Sequence, residues 1–233
     1  MSTREIDLSI LANAEIFSGL PTESLEEVRS RSFRRRFAAG EVVFRQGDPA
    51  LNVFVVVMGQ LRVAQTTAEG HQVIIRYIGQ GDLAGYAVLS AGETYPGTVV
   101  AVEDTHAMGW TAASMRQLME TYPRIATNAL SIVSRRYREL QERLRQQATE
   151  NVERRIAHAI LRLAGQAGRS TPQGIEIAFP VSRQDLAEMA ATTLHTVSRT
   201  MSGWEDRGVV LSRRRRVIVS QPDTLLAIAV GDA

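Results

Sequence analysis

The chain has 233 residues, with 27 basic and 25 acidic side chains and a net charge of +2. That length allows one large or two medium domains, and a hydrophobic content of 44% is enough to bury a full core. No apolar run approaches the roughly 18 residues of a membrane span, and the start MSTREIDLSILANAE has no uninterrupted apolar stretch, so neither a transmembrane helix nor a secretory signal is expected and the location expected is the cytoplasm.

With so small a net charge, affinity for a polyanion must come from local clustering. All 27 basic residues are arginine, and a bias that runs through the whole chain is not itself read as function. The absence of cysteine excludes disulfides, thiol switching and a cysteine-ligated iron–sulfur cluster. No Walker phosphate loop, HExxH or Gly-x-Ser-x-Gly is present, which argues against an enzyme.

The first half is expected to be β-rich. Short apolar runs at Val42–Phe44, Val53–Val57, Leu61–Ala64, Val73–Ile78, Val99–Val102 and Ala107–Trp110 alternate with turn glycines at Gly40, Gly47, Gly59, Gly70 and Gly81. Many closely spaced strands imply a barrel or sandwich. A long helix follows from about Pro123 to Gln147. Its Ala126, Leu130, Val133, Tyr137, Leu140 and Leu144 are spaced 4, 3, 4, 3, 4, a heptad seam, and the other side carries Arg138, Glu139, Glu142 and Arg143. A seam with a solvated back suits pairing with a second copy of the helix. The seam ends near Ala148–Val152, where a hinge is expected. A second helix spans Val152–Ala164 with Val152, Ile156, Ile160 and Leu163 on one face. Gly165–Gly174 is expected as a surface loop before a strand at Ile175–Phe179.

The segment SRQDLAEMAATTLHTVSRTMSGWEDRGVV, Ser182–Val210, predicts two short helices and a tight turn. Ser182 can cap the first, whose apolar face is Leu186, Met189 and Ala190, while Ala187 and Ala191 are small where the helices cross. Thr193 can cap the second. Val197, Met201 and Trp204 fall on one side of it; His195, Thr196, Ser198, Arg199 and Ser202 fall elsewhere, and Gly208 stops it. One α-helix fits a DNA major groove, and a guanidinium at Arg199 matches guanine O6 and N7. Two short strands, Val209–Leu211 and Val217–Val219, flank Ser212-Arg213-Arg214-Arg215-Arg216, a hairpin tip suited to clamping phosphates.

These motifs resemble the CRP/FNR family of bacterial transcription regulators, over about Ile10 to Val219. The winged helix-turn-helix carries the resemblance at one end. At the other, AAGEVVFRQGDPALNVFVVVMGQLRVAQTTAEGHQVIIRYIGQGDLAG is similar to the family's cyclic-nucleotide-binding β-roll, and IFSGLPTESLEEV to its short N-terminal helices. The resemblance implies an α+β architecture: a β-roll effector domain at 1–122, a dimerisation helix and hinge at 123–150, and a winged helix-turn-helix at 151–233. The implied partners are double-stranded DNA, a second copy of the chain and RNA polymerase. The implied DNA-facing residues are Arg183, Gln184, Thr193, His195, Thr196, Ser198, Arg199, Arg213, Arg214, Arg215 and Arg216. The FNR branch carries Glu-x-x-Ser-Arg; here His195-Thr196-Val197-Ser198-Arg199 keeps the Ser and Arg and replaces the Glu. Ser198 and Arg199 would then read the TTG-like part of a palindromic half-site.

By the same resemblance, the effector pocket involves Gly85, Tyr86, Tyr95, Pro96, Tyr137 and Leu140. The cAMP-binding branch grips ribose with a Gly-Glu pair and phosphate with an Arg-Ser pair. Here Tyr86 replaces the Glu, and Tyr95 and Pro96 replace the Arg and Ser. A buried cyclic phosphate needs a cation or several donors, so the expectation is against cAMP. The effector itself stays unnamed. A small neutral ligand, a haem or no ligand fits the composition, with His71 the best of four isolated histidines as a haem ligand. The HTVSR motif, Tyr95-Pro96 and the missing cysteines are most similar to the NnrR-type branch, which responds to nitrogen oxides. A cyclic-nucleotide-responsive regulator and a ligand-independent DNA-binding protein remain as alternatives.

Overall fold

The structure is a computed structural model that describes residues 3–89, 94–213 and 215–232. The chain divides into two compact units, one running up to Thr66 and over Tyr77–Glu139, the other comprising Thr67–Arg76 and the chain from Leu140 on.

The first unit opens with α1 (Thr3–Asn13) and α2 (Thr22–Ser30). Eight strands follow along the chain: β1 (Phe33–Phe37), β2 (Val42–Phe44), β3 (Asn52–Met58), β4 (Leu61–Thr66), β5 (Gln72–Ile78), whose residues up to Arg76 belong to the second unit, β6 (Leu83–Ala84), β7 (Thr98–Ala101) and β8 (Thr105–Thr111). They form two four-stranded sheets, ordered β1-β8-β3-β6 and β2-β7-β4-β5. Trp110 is fully buried, meets Phe17 edge-on at 5.2 Å, and donates its indole N–H to the Val28 carbonyl at 2.8 Å. That bond ties α2 to the sheet while satisfying the one polar atom of the ring. Gly109 is required by packing: a Cβ there would lie 2.6 Å from Phe33 and 2.7 Å from Phe54. Helix α3 (Ala112–Thr121) starts at Thr111, whose side chain accepts from the Ser114 N–H.

Helix α4 (Pro123–Thr149) begins with proline at a position where no donor is needed. Its Ile125, Ala129 and Ile132 enter the core of the first unit. On another face, Leu130, Val133, Tyr137, Leu140 and Leu144 stand 46–67% exposed. One helix thus carries two apolar stripes, and only the first is covered by its own chain.

The second unit contains α5 (Val152–Ala167), β9 (Gly168–Thr171), β10 (Gly174–Ile177), α6 (Arg183–Ala190), α7 (Leu194–Asp206), β11 (Val210–Arg213), β12 (Arg216–Val219) and α8 (Pro222–Val230). The strands form an antiparallel sheet ordered β11-β12-β10-β9. Ile156, Ile160, Leu163, Leu186, Val197, Met201 and Leu225 are fully buried and make its core.

Several expectations are corrected. The segment 165–174 is not a loop: α5 continues to Ala167, and 168–171 pairs with 174–177. The Gly/Ser/Pro content serves a tight turn, where Gly174 takes φ +128 and a Cβ would lie 2.2 Å from the Val219 carbonyl oxygen. The following strand stops at Ile177, short of Phe179. Ala191 does not mediate helix crossing. It is exposed in the left-handed conformation, φ 49, and forms the turn after α6. Arg143 is not simply solvated, since its guanidinium donates to the Ile75 carbonyl. Strand β1 escapes the sequence pattern because FRRRF looks like a charge run; its Phe33 and Phe37 rings meet Phe54 edge-on at 5.9 and 5.6 Å.

Candidate nucleic-acid interface and effector site

Helix α6 begins with a full capping box. Ser182 accepts from the Asp185 N–H at 3.0 Å, and the Asp185 carboxylate accepts from the Ser182 N–H at 2.7 Å. Three residues, Ala191-Thr192-Thr193, then reverse the chain. Thr193 caps α7 by accepting from the Thr196 N–H at 3.2 Å. Val197, Met201 and Trp204 are buried and anchor α7, and the Trp204 indole donates to Glu153 at 3.0 Å. Gly208 follows the helix with φ +70, as its stop position requires. Rigid anchoring of one face fixes where the other face points.

That other face carries the expected readers. His195 and Arg199 are exposed, and Thr196 and Ser198 are half-buried. Arg199 lines an open cleft of about 580 Å³ together with Thr196, Thr200, Gly203, Arg207 and the first residues of α5. Gln184 is exposed on α6 and donates to Glu188 at 3.0 Å. Arg183 is held at 3.1 Å by Glu205. On the hairpin, Arg213, Arg215 and Arg216 are exposed, Arg216 lying 3.4 Å from Glu176; Arg214 lies outside the described residues. The structure therefore brings α7, the head of α6 and the β11–β12 hairpin to one arginine-rich region of the second unit.

Two adjacent arginines of α5 brace this assembly, and nothing in their sequence context signals it. Arg154 donates to the Ala229 and Val230 carbonyls, both at 3.0 Å, at the end of α8. Arg155 donates to Ala190 at 3.0 Å, at the end of α6, and to the Glu150 carbonyl at 2.9 Å. Each places a cation at a helix C-terminus, where it satisfies orphan carbonyls and opposes the dipole. His158, beside the buried Glu150 at 3.3 Å, has its pKa lowered, first by burial.

The expected effector residues are arranged differently. Gly85 has φ +85, and a Cβ there would lie 2.8 Å from the Asn52 carbonyl oxygen, so glycine is obligatory. Tyr86 is 37% exposed. Tyr95 is built into the framework of the roll. Its ring stacks on Phe44 at 3.8 Å; its hydroxyl donates to the Asn52 carbonyl at 2.7 Å and accepts from the Asn52 N–H at 3.0 Å. Its backbone is bonded too, with Tyr95 N–H to the Asp48 carbonyl and Gly47 N–H to the Tyr95 carbonyl, both at 2.9 Å. Burial pushes the Tyr95 phenol up from its ordinary pKa. Pro96 is exposed, and its carbonyl accepts from Gln65 at 2.8 Å. Tyr137 and Leu140 belong to the exposed stripe of α4. His71 is exposed on the turn between β4 and β5, and among the described residues no group of three or more metal-ligating side chains is assembled. An exposed turn histidine does not fit a haem, which needs an axial ligand beside an apolar slot.

Residues 34–122 match the model of the cyclic nucleotide-binding domain, and residues 154–228 match the Crp-like helix-turn-helix domain. A curated relative, the cyclic AMP receptor protein of Thermus thermophilus, is 29% identical over 95% of this chain and 99% of its own length. The crystal structure of Thermus thermophilus catabolite activator protein is 30% identical over 94% of this chain and 100% of that one, with a TM-score of 0.54. FixK2 from Bradyrhizobium japonicum shares the fold with a TM-score of 0.75 at 20% identity, over 84% of this chain and 96% of that one.

Proposed function

The chain belongs to the CRP/FNR family of transcription regulators, and from that premise we propose that it acts as a homodimer on a palindromic DNA site, under the control of an effector other than cAMP. The observation that carries the DNA reading is α7. It buries Val197, Met201 and Trp204 and leaves His195 and Arg199 exposed, and its last turn is bonded to a hairpin bearing Arg213, Arg215 and Arg216. In this reading α7 enters the major groove, Arg199 reads guanine with two hydrogen bonds, and the hairpin arginines hold phosphates. Ser198 reads beside it. His195 takes the place of the family's Glu, and since an imidazole can donate or accept, the base pair it faces differs from the one a carboxylate selects.

The exposed stripe Leu130, Val133, Tyr137, Leu140 and Leu144 supports pairing of two α4 helices. Two-fold pairing presents two α7 helices to half-sites one turn apart, about 34–36 Å. The effector acts by binding one pose of these helices better than another. Contact with RNA polymerase follows from the family premise.

Against cAMP stand Tyr86, Tyr95 and Pro96. No cation occupies the positions that grip the cyclic phosphate in the cAMP-binding branch, and the Tyr95 hydroxyl is already bonded to Asn52. We assign a small uncharged signal, nitric oxide being the one that the branch resemblance names. The second reading, a cAMP receptor with an unusual pocket, draws on the relative of that name at 29% identity. Calorimetry separates the two: micromolar cAMP binding would establish the second. The DNA reading is tested by selecting bound sequences from a random duplex pool and measuring Arg199→Ala on the selected site. A loss of about 1–3 kcal/mol there, with random DNA bound as before, is expected. Equal loss on both would reduce Arg199 to a phosphate contact.

A further inference from the structure

We infer that Glu205 is the positioning residue for the DNA-clamping hairpin, so that deleting this acid weakens DNA binding instead of strengthening it. The inference rests on the DNA-binding reading above. Glu205 lies in the last turn of α7, 28% exposed at its side chain. The same carboxylate oxygen accepts from Arg183, the first residue of α6, at 3.1 Å and from the Ser212 hydroxyl of β11. Arg183 also reaches the Ser212 oxygen at 3.5 Å. One side chain therefore joins three elements: the head of α6, the end of α7 and strand β11 close to the hairpin tip.

A second link fixes the tip. The Val181 N–H donates to the Arg215 carbonyl at 2.8 Å, and Arg215 holds the left-handed conformation, φ 69. A non-glycine residue adopts that conformation only where its surroundings impose it. The two links frame a cleft of about 310 Å³ lined by Arg183, Ser212, Arg213, Arg215 and Arg216, among others. Of these arginines, Arg183 is paired with Glu205 and Arg216 with Glu176, while Arg213 and Arg215 are exposed. Glu205 sets Arg183 and the hairpin at a fixed distance from Arg199's helix through these hydrogen bonds. Preorganised cations bind phosphate better than mobile ones, because less freedom is lost on binding.

The two accounts of Glu205 differ in sign. If the residue is only a negative charge near phosphate, its removal raises DNA affinity. If it positions the clamp, removal lowers affinity and reduces the number of counterions released. The test is fluorescence anisotropy on the selected duplex between 50 and 200 mM KCl, at the order of salt where such slopes are read. Glu205→Ala is expected to bind about 3–10-fold more weakly, with a salt slope shallower by about 1–2, the loss of one or two phosphate contacts. Glu205→Gln, whose amide oxygen still accepts from Arg183 and Ser212, is expected to restore the slope. Ser212→Ala changes no charge and is expected to flatten the slope as well. Equal or tighter binding by Glu205→Ala at an unchanged slope overturns the proposal. Should Glu205→Ala not fold, by circular dichroism, the proposal falls on tighter binding by Glu205→Gln together with wild-type behaviour of Ser212→Ala. Wild-type protein that binds no duplex overturns the DNA-binding reading and this inference with it; a wild type that binds, with variants that match it, overturns this inference alone.

Discussion

The roll and the winged half use their polar side chains in opposite ways. In the winged half, buried groups such as Val197, Met201 and Trp204 anchor a helix so that His195 and Arg199 face outward. In the roll, the position at which the cAMP-binding branch holds its phosphate grip is occupied by Tyr95, 4% exposed and bonded to the chain through its hydroxyl, its N–H and its carbonyl. A polar group satisfied inside the fold contributes to stability, and one held outward on a rigid support is available to a partner. The two halves therefore hold their polar groups by different means, one through bonds within the fold and one through a buried support beneath exposed side chains.

The comparison breaks most visibly at the exposed stripe of α4. Replacing Leu130 and Leu144 with Asp places charge in the seam, and sedimentation at micromolar concentration is expected to show monomers with DNA binding lost. Dimers surviving the double substitution would remove the stripe from the account. Next comes Tyr95→Ala, which deletes the ring stacked on Phe44 and is expected to destabilise the chain by about 3–5 kcal/mol in urea. Tyr95→Phe sharpens the point. It leaves the Asn52 N–H and carbonyl without their partner, at about 1–3 kcal/mol, and is expected to leave the effector response intact. Unchanged stability with an altered response would make Tyr95 a ligand contact after all. In the winged half, Ser182→Ala removes the cap of α6 at about 0.5–2 kcal/mol. Thermal unfolding should register that loss, whereas specific DNA affinity above the folded threshold should not.

A pH titration gives the smallest effect. Burial lowers the His158 pKa in the folded chain, so the unfolded chain binds its proton first as pH falls. Stability therefore declines as pH falls through the unfolded value near 6.5 and on towards the lower folded value, and His158→Gln is expected to flatten that decline. The nearby Glu150 carboxylate opposes the shift, so a His158 imidazole resonance titrating above the ordinary value would contradict this assignment.

Much of this architecture is legible in the residues themselves. The strand at Val42–Phe44, the one expected at Leu61–Ala64 and observed at Leu61–Thr66, the caps at Ser182 and Thr193 and the stop at Gly208 all follow from local spacing and local chemistry. What stays hidden has a common cause. Strand β1 conceals its two packing rings behind three arginines. Ala191 takes a left-handed turn where glycine is the usual signal. Contacts between elements leave no local mark: Arg183, Glu205 and Ser212 meet across separations of 22, 7 and 29 residues. The Tyr95 hydroxyl reaches Asn52 from 43 residues away, so its burial cannot be read from the segment around it.

In the proposed function two copies of this chain place two α7 helices in successive major grooves. The direct measurement is binding to duplexes whose selected half-sites are moved apart in single base-pair steps. Affinity is predicted to peak with centres about 10–10.5 base pairs apart and to collapse when five more are inserted, which turns one half-site to the opposite side of the duplex. Affinity indifferent to that insertion would contradict it.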